Sequence, residues 1–288
     1  MNIIRADHLG MCFGVRDAIA LARATARHTP LTVLGDLVHN ETVLTELRSR
    51  GIAFEADPAA VATPTVMITA HGASEKRRAA VARQGVRVLE ATCPLVHVAH
   101  RAVAALVAEG FHPVIIGQRD HVEVRGVTED LSIYDVVLTP EEITNLTARP
   151  RFGVAAQTTQ PIERVRALVR HLCDTFPQSE VRFIDTVCQP TKQRQAAAVA
   201  LARQCDAVVV IGGAHSNNTH ELVRTCGRHC ARVYHVQTAA ELSPTWFTPE
   251  DTVGITAGTS TPDPVIVEVE TMLRSLARDL PVPEKCFV

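Results

Sequence analysis

Short apolar runs alternate with longer alanine-rich stretches along most of the chain. Runs such as 208–211 are rich in β-branched residues and end at a glycine, which is typical of buried strands. The stretches between them, such as 14–27, are long enough for helices. Strands that alternate with helices predict parallel α/β sheets, whose ligand loops gather at the carboxyl ends of the strands.

The same order of features recurs three times. VRVLEATC at 86–93 and VRFIDTVC at 181–188 both end in cysteine, and IIRADHLGMC at 3–12 is a looser copy. A helical stretch follows each cysteine, at 14–27, 96–109 and 192–204. Each next apolar run closes at a glycine, and the separations from Cys12 to Gly35, Cys93 to Gly117 and Cys188 to Gly212 are 23, 24 and 24 residues. Such constant spacing indicates an internal repeat.

The repeat predicts three similar α/β units around a pseudo-threefold axis. The expected units are 1–92, 93–187 and 188–288, with the last including a C-terminal tail. The strand at 3–6 precedes the first cysteine, so we expect it to close the ring beside the third unit. Equivalent positions would then face one another at the centre, which places the three repeated cysteines in one ring.

Three converging cysteines can bind a soft metal or a cluster. Each follows a strand and precedes a helix, whose free N–H groups stabilise a thiolate. A 4Fe-4S cluster usually takes four cysteines, so three would leave one iron open. Zinc with an added histidine is an alternative, although short Cys-x-x-Cys spacing is absent. Simple burial is the alternative for any one thiol. We interpret the non-repeating cysteines as core or surface thiols: Cys173, Cys205, Cys226, Cys230 and Cys286.

Polar loops follow the strands of each predicted unit. Three carry a histidine: His39, His71 and His121. In the third unit, a Gly-Gly pair at 212–213 precedes Ser216 and Asn218, a pattern that suits a phosphate at a helix N-terminus. This segment lacks the Gly-Lys-Ser/Thr ending of an ATP-binding P-loop. Glu123 lies two residues after His121 and is a candidate proton donor.

Charge and composition narrow the classes of partner. The formal net charge is −2 and only 4% of residues are aromatic, which argues against a nucleic-acid surface. We expect no membrane span, because no long apolar run occurs. We also see no secretory signal, so the eight cysteines suggest a reducing compartment, and we expect a cytoplasmic protein.

Taken together, these motifs resemble the LytB family, 4-hydroxy-3-methylbut-2-enyl diphosphate reductase. The resemblance runs over nearly the whole chain, from GMCFGV at 10–15 to TAGTSTPD at 256–263. Between these ends lie VHN (38–40), AHG (70–72), ATCPLV (91–96), HVEV (121–124), QTT (157–159) and SNN (216–218). Each of these motifs is weak alone, and their common order carries the resemblance.

The resemblance implies an iron–sulfur oxidoreductase that performs reductive dehydroxylation. Two electrons enter, the C–O bond breaks and a proton completes isopentenyl or dimethylallyl diphosphate, the last step of the methylerythritol phosphate route. It implies one 4Fe-4S cluster with one open iron, and a donor such as ferredoxin or flavodoxin. The implied cluster ligands are Cys12, Cys93 and Cys188. The implied catalytic residues are Glu123, His121 and Thr158. The implied substrate-binding residues are His39, His71, His121, Thr158, Ser216, Asn217, Asn218 and Ser260.

Five positions depart from the family pattern. Leu9 and Met11 stand where arginine and phenylalanine are common. Gln118 replaces a histidine, Val122 replaces a proline, and Asn217 stands where serine or glycine is usual. These departures leave a divergent reductase of a related diphosphate open. A cluster-bearing redox sensor and a zinc-binding structural protein are further alternatives, although a sensor would not need Glu123 or the phosphate-binding residues.

Overall fold

The computed structural model describes residues 1–279, in which parallel strands alternate with helices. The strands are β1 (Asn2–Arg5), β2 (Leu31–Leu34), β3 (Ala53–Glu55), β4 (Thr65–Ile68), β5 (Arg87–Glu90), β6 (His112–Ile116), β7 (Asp135–Val137), β8 (Arg151–Ala156), β9 (Glu180–Phe183), β10 (Ala207–Ile211), β11 (Arg232–Val236) and β12 (Thr252–Ala257). The helices are α1 (Phe13–Ala26), α2 (Glu41–Ser49), α3 (Glu75–Ala82), α4 (Pro94–Ala108), α5 (Val122–Thr128), α6 (Pro140–Thr144), α7 (Ile162–Thr175), α8 (Gln189–Ala202), α9 (Asn217–Gly227) and α10 (Asp263–Asp279).

The strands form three parallel four-stranded sheets with the same internal order. Sheet A runs β11-β10-β12-β1, sheet B runs β3-β2-β4-β5, and sheet C runs β7-β6-β8-β9. The α/β class with three parallel-sheet units is confirmed. In sheets B and C the fourth strand leads along the chain to a cysteine, and in sheet A this place is taken by β1, which pairs in parallel with β12.

The chain divides into two compact units. The first unit comprises Met1–Cys12, His39–Glu41 and the chain from Lys192 onward, and it contains sheet A. The second unit comprises Phe13–Val38 and Thr42–Thr191, and it contains sheets B and C.

Sheet C shows how the sequence pattern creates the core. Helix α7 places Val165 and Leu172 against Phe152 on one face of the sheet. Helix α4 places Val103 against Ile115 on the other face. Both faces are covered, so the strands are apolar on both sides, as parallel sheets require. Each fully buried side chain of this size contributes about 1.5–3 kcal/mol to folding.

The repeated features fall where the sequence predicts them. Gly35, Gly117 and Gly212 directly follow β2, β6 and β10. Helices α1, α4 and α8 begin at the residue after each repeated cysteine, so the predicted placement of these thiols before helix N-termini is confirmed. Helix α4 begins at Pro94 and helix α8 at Gln189, earlier than the predicted starts at 96 and 192. Within residues 1–279, none of the helices is both long and apolar enough to cross a bilayer.

Candidate functional site

The three repeated cysteines make the same backbone hydrogen bond. The Cys12 N–H donates to Thr259 O at 3.1 Å, Cys93 N–H to Ala70 O at 3.0 Å and Cys188 N–H to Thr158 O at 3.0 Å. Each acceptor lies two residues beyond the third strand of its own sheet, β12, β4 or β8. The chain therefore attaches each thiol to the turn that carries a predicted substrate residue, namely Ser260, His71 and Thr158.

The three thiols are half-buried and lie at helix N-termini. Cys93 is the N-cap of α4, and a Cβ built on Gly14 would lie 2.6 Å from its Sγ. Glycine at position 14 therefore leaves room for this sulfur. Cys188 Sγ lies 3.0 Å from Thr191 Oγ1 in the first turn of α8. None of the cysteines in the described part of the chain forms a disulfide.

Glu123 is held deep in the second unit by Thr158. Its side chain is only 2% exposed. One carboxyl oxygen accepts the Thr158 N–H at 2.6 Å, and the other accepts the Thr158 hydroxyl at 2.9 Å. Burial raises the pKa of Glu123 to about 7, although both hydrogen bonds from Thr158 oppose the shift. Such a group can hold or release a proton near neutral pH. Thr158 thus connects the Glu123 carboxyl to the backbone of Cys188.

The pKa of Glu123 predicts a pH-dependent stability. Below its ordinary value of 4.5 the carboxyl is protonated in both folded and unfolded chains, and the full stability is present. As pH rises through about 7, the folded protein must bury a carboxylate, and that stability is lost. Thermal melting of the wild type and Glu123→Gln between about pH 5 and pH 8 should show a gap that widens in favour of the glutamine variant. Parallel curves would contradict the raised pKa.

His121 caps the helix that carries Glu123. Its Nδ1 accepts the Glu123 N–H at 3.1 Å, so the neutral ring carries its proton on Nε2. The ring of His71 lies edge-on to that of His121, with centroids 5.6 Å apart. The structure therefore brings four predicted residues of the second unit into one neighbourhood. One detail of the prediction is wrong: Glu123 lies in the first turn of α5, not in a loop.

Three predicted residues of the compact unit that contains sheet A gather at the N-terminus of α9. Ser216 is the N-cap, and its Oγ accepts the Thr219 N–H at 3.3 Å. Asn217 and Asn218 follow in the first turn and are buried. Asn218 Oδ1 accepts the Thr259 N–H at 2.9 Å, whereas its Nδ2 is buried and has no partner among residues 1–279. A buried, unsatisfied donor at a helix N-terminus suits an anion.

His39 belongs to the same unit. The Ser260 hydroxyl donates to His39 O at 3.3 Å. A Cβ built on Gly213 would lie 2.5 Å from that oxygen and 3.2 Å from Asn40 Cα. Only glycine permits this approach, which seats the His39 segment directly on the turn between β10 and α9.

Comparison with known proteins identifies the family of the chain. The model of a family described as LytB protein matches residues 3–274. The chain belongs to this family. The 4-hydroxy-3-methylbut-2-enyl diphosphate reductase of Aquifex aeolicus (strain VF5) is 34% identical over 282 residues, covering 96% of this chain and 97% of the relative. That of Geobacter sulfurreducens (strain ATCC 51573 / DSM 12127 / PCA) is 36% identical over 271 residues, covering 93% and 95%.

Solved structures of LytB-type reductases share the fold. A structure of (E)-4-hydroxy-3-methyl-but-2-enyl diphosphate reductase, described as the terminal enzyme of the non-mevalonate pathway, superposes with a TM-score of 0.69 at 34% identity, covering 96% of this chain and 100% of that one. The Plasmodium falciparum E-1-hydroxy-2-methyl-but-2-enyl-4-diphosphate reductase gives a TM-score of 0.87 at 25% identity, covering 94% and 87%. The resemblance found in the sequence is confirmed, and LytB proteins depend on iron–sulfur chemistry.

The structure shows where three of the departures from the LytB pattern lie. The side chain of Gln118 is exposed, while its backbone N–H donates to Gln157 Oε1 at 3.1 Å. Val122 is the first residue of α5, where proline is favoured because the N–H of this position has no helical partner. Valine therefore keeps the helix start. Asn217 is buried in the first turn of α9, among the residues that suit an anion.

The remaining described cysteines lie away from helix starts. Cys173 is exposed, Cys226 and Cys230 are buried, and Cys205 is half-buried. Burial raises the pKa of Cys205 to about 11 and that of Cys226 to about 12, so these thiols stay protonated. Cys286 lies outside the described residues. Within residues 1–279, no three His, Cys, Asp or Glu side chains stand in a ready-made metal-binding arrangement.

Sequence reasoning missed the role of Gln157. Its Oε1 accepts from Gln118 N–H and from Gln160 Nε2, both at 3.1 Å, and its Nε2 donates to Thr159 at 3.2 Å. Gln157 thereby ties the turn bearing Thr158 to the segment bearing His121. The signal available was its place in the QTT motif, directly before Thr158.

Proposed function

We propose that the protein is a cytoplasmic 4-hydroxy-3-methylbut-2-enyl diphosphate reductase. It would remove the allylic hydroxyl and yield isopentenyl and dimethylallyl diphosphate, the final products of the methylerythritol phosphate route. The observation that carries the proposal is the buried Glu123 carboxyl, held by Thr158, whose pKa burial raises to about 7. The LytB family and its reductase relatives support the choice of reaction.

The donor set fits an iron–sulfur cluster. Cys12, Cys93 and Cys188 are half-buried soft donors at helix starts, and each is fixed by the same backbone hydrogen bond. We assign them as the three protein ligands of one 4Fe-4S cluster that keeps one iron without a protein ligand. When bound, this group supplies electrons one at a time and a Lewis acid for the substrate oxygen. A ferredoxin or flavodoxin would deliver the electrons.

The protein would supply at least one of the protons. The reaction consumes two electrons and two protons: one proton turns the departing hydroxyl into water, and the other bonds to carbon. Glu123 is the group suited to deliver a proton, because burial lets it remain protonated near neutral pH. Thr158 fixes its carboxyl, and His121, whose Nδ1 accepts the Glu123 N–H, would hold the substrate hydroxyl.

The diphosphate would be held by donors on turns and helix starts. The proposed residues are His39, His71, Ser216, Asn217, Asn218 and Ser260. Asn218 Nδ2 is buried and its hydrogen-bonding capacity is unused among the described residues, which is expected of a donor that awaits a phosphate oxygen. The positive end of α9 adds to the attraction.

Replacing Asn218 with aspartate tests the diphosphate assignment. The new carboxylate would still accept the Thr259 N–H, but a negative oxygen would replace the free amide donor. A lost hydrogen bond to a charged group corresponds to about a 10- to 100-fold loss, so KM for the substrate should rise by at least that order. The measurement is anaerobic steady-state kinetics with iron content checked in parallel. An unchanged KM in a fully iron-loaded variant would remove Asn218 from the site.

Anaerobic purification followed by a turnover assay tests the function itself. We expect brown protein that converts 4-hydroxy-3-methylbut-2-enyl diphosphate to both products with a strong artificial reductant. Colourless protein that retains stoichiometric zinc would favour the structural zinc protein. Full iron loading without turnover, even with ferredoxin or flavodoxin, would favour the redox sensor.

A further inference from the structure

The turn that carries His71 meets the helix that His121 caps at one half-buried imidazole, that of His100 on α4. A Cβ built on Gly72 would lie 3.4 Å from His100 Nε2. A Cβ built on Gly126, in α5, would lie 3.7 Å from the same nitrogen and from Cε1. The edge of a single ring therefore packs against two glycines, one from each substrate-binding segment.

At Gly72 the backbone conformation itself requires glycine. Gly72 has a φ of +77°, which other residues rarely adopt. A Cβ at this position would also meet Thr92 and Val96, each at 3.2 Å. A Cβ built on Gly126 would lie 3.7 Å from Ala73 Cα, an ordinary van der Waals contact, so α5 lies close to the backbone of Ala73. The two segments thus lie close together, with the edge of the His100 ring between them.

The outer ends of the same segments are joined by hydrogen bonds to two carboxylates. The Ser74 hydroxyl donates to the carboxylate of Glu129, just after α5. Asp130 accepts the backbone N–H groups of Glu75 at 2.7 Å and Lys76 at 3.1 Å. The dipole of α3 also stabilises a carboxylate at the N-terminus of this helix. The junction is therefore braced at its rim by these acids and filled at its centre by His100.

Stability alone does not account for a histidine in this position. His100 Nε2 is buried and has no hydrogen-bond partner among residues 1–279. Burial chiefly lowers the pKa of His100, with His97 and Arg78 adding to the effect while Asp130 and Glu90 oppose it. The ring is therefore neutral at pH 7. An aliphatic side chain would fill the space without an unsatisfied nitrogen, so a flat ring edge meets a need other than stability.

We propose that His100 is a positioning residue that fixes the separation of His71 from His121. The inference rests on the proposed function, in which His71 holds the diphosphate and His121 the hydroxyl. The distance between these two rings would then determine whether the substrate can contact His71 and His121 at the same time. Small errors in such positioning reduce turnover strongly, by up to about 100-fold for 1 Å.

Three variants on α4 test the proposal. His100→Ala removes the ring between the two segments and should lower kcat/KM by on the order of 10- to 100-fold at temperatures well below melting. His100→Gln keeps a flat, polar side chain of similar reach and should restore kcat/KM to within about threefold of the wild type. Val107→Ala, on an exposed side of the same helix, is the matched control and should retain full activity. Iron content should be unchanged in all three variants.

A second readout is independent of turnover. The crystal structure of His100→Ala should show the His71 and His121 centroids displaced from their 5.6 Å separation. If that variant does not fold, Gly126→Val provides the displacement, because its extra methyl groups would push α5 from Ala73 and His100. Wild-type kcat/KM together with an unchanged ring separation in His100→Ala would overturn the proposal. Absence of turnover in the iron-loaded wild type would instead defeat the proposed function, and the ring separation would still decide the role of His100.

Discussion

Replacing Cys93 with serine is expected to remove the bound iron and abolish turnover. Cys93 caps α4, and Gly14 leaves space beside its sulfur. Serine keeps the backbone hydrogen bond to Ala70 O and the helix start, so the fold should survive. It replaces a soft thiolate with a hard hydroxyl, which binds iron–sulfur groups poorly. The measurements are iron and sulfide content and visible absorption after anaerobic purification.

The matched control is Cys173→Ser. Cys173 is exposed on α7, away from any helix start, and its replacement should leave iron content and turnover unchanged. Equal loss of iron in both variants would show that the iron is not held by the repeated cysteines. Retention of iron and turnover by Cys93→Ser would remove Cys93 from the ligand set. Cys12→Ser and Cys188→Ser should behave like Cys93→Ser.

The repeat along the chain was sufficient to predict the sheets and the placement of the cysteines. Parallel α/β units have a fixed order of strand, helix and loop, so the constant interval from cysteine to glycine translates directly into repeated geometry. Helices α1, α4 and α8 each begin one residue after a cysteine. Features of this kind depend on residues that are close together in the sequence, so they can be predicted from the sequence alone.

Long-range contacts could not be predicted in the same way. The hydrogen bond from Cys188 N–H to Thr158 O depends on β8 and β9 lying side by side in register. The burial of Glu123 depends on the short helix α5, which His121 caps and which begins at Val122, within a stretch that the sequence predicts as a polar loop. His100 appears in the sequence as one more helical histidine, and its contacts with Gly72 and Gly126 join residues that are distant along the chain. The family resemblance supplied residue roles that spacing alone left open.

Replacing Glu123 with glutamine is expected to reduce turnover by about a hundredfold or more, the scale of general acid catalysis. Glutamine keeps the shape, and its carbonyl oxygen can still accept the Thr158 N–H. Its amide group faces the Thr158 hydroxyl, which can rotate to accept a hydrogen bond. The iron content and KM should change little, because the proposed diphosphate donors lie on other segments. What the variant loses is the proton.

The pH profile separates proton delivery from a merely structural effect. Since the protonated carboxyl is the active form and its pKa is about 7, the wild-type rate should fall as pH rises above that value. The residual rate of Glu123→Gln should not follow this decline. Glu163→Gln, an exposed change on α7, is the matched control and should retain the wild-type rate and profile. Normal turnover by iron-loaded Glu123→Gln would exclude Glu123 as the proton source, and a wild-type profile that is flat through neutral pH would show that proton transfer from this carboxyl does not limit the rate.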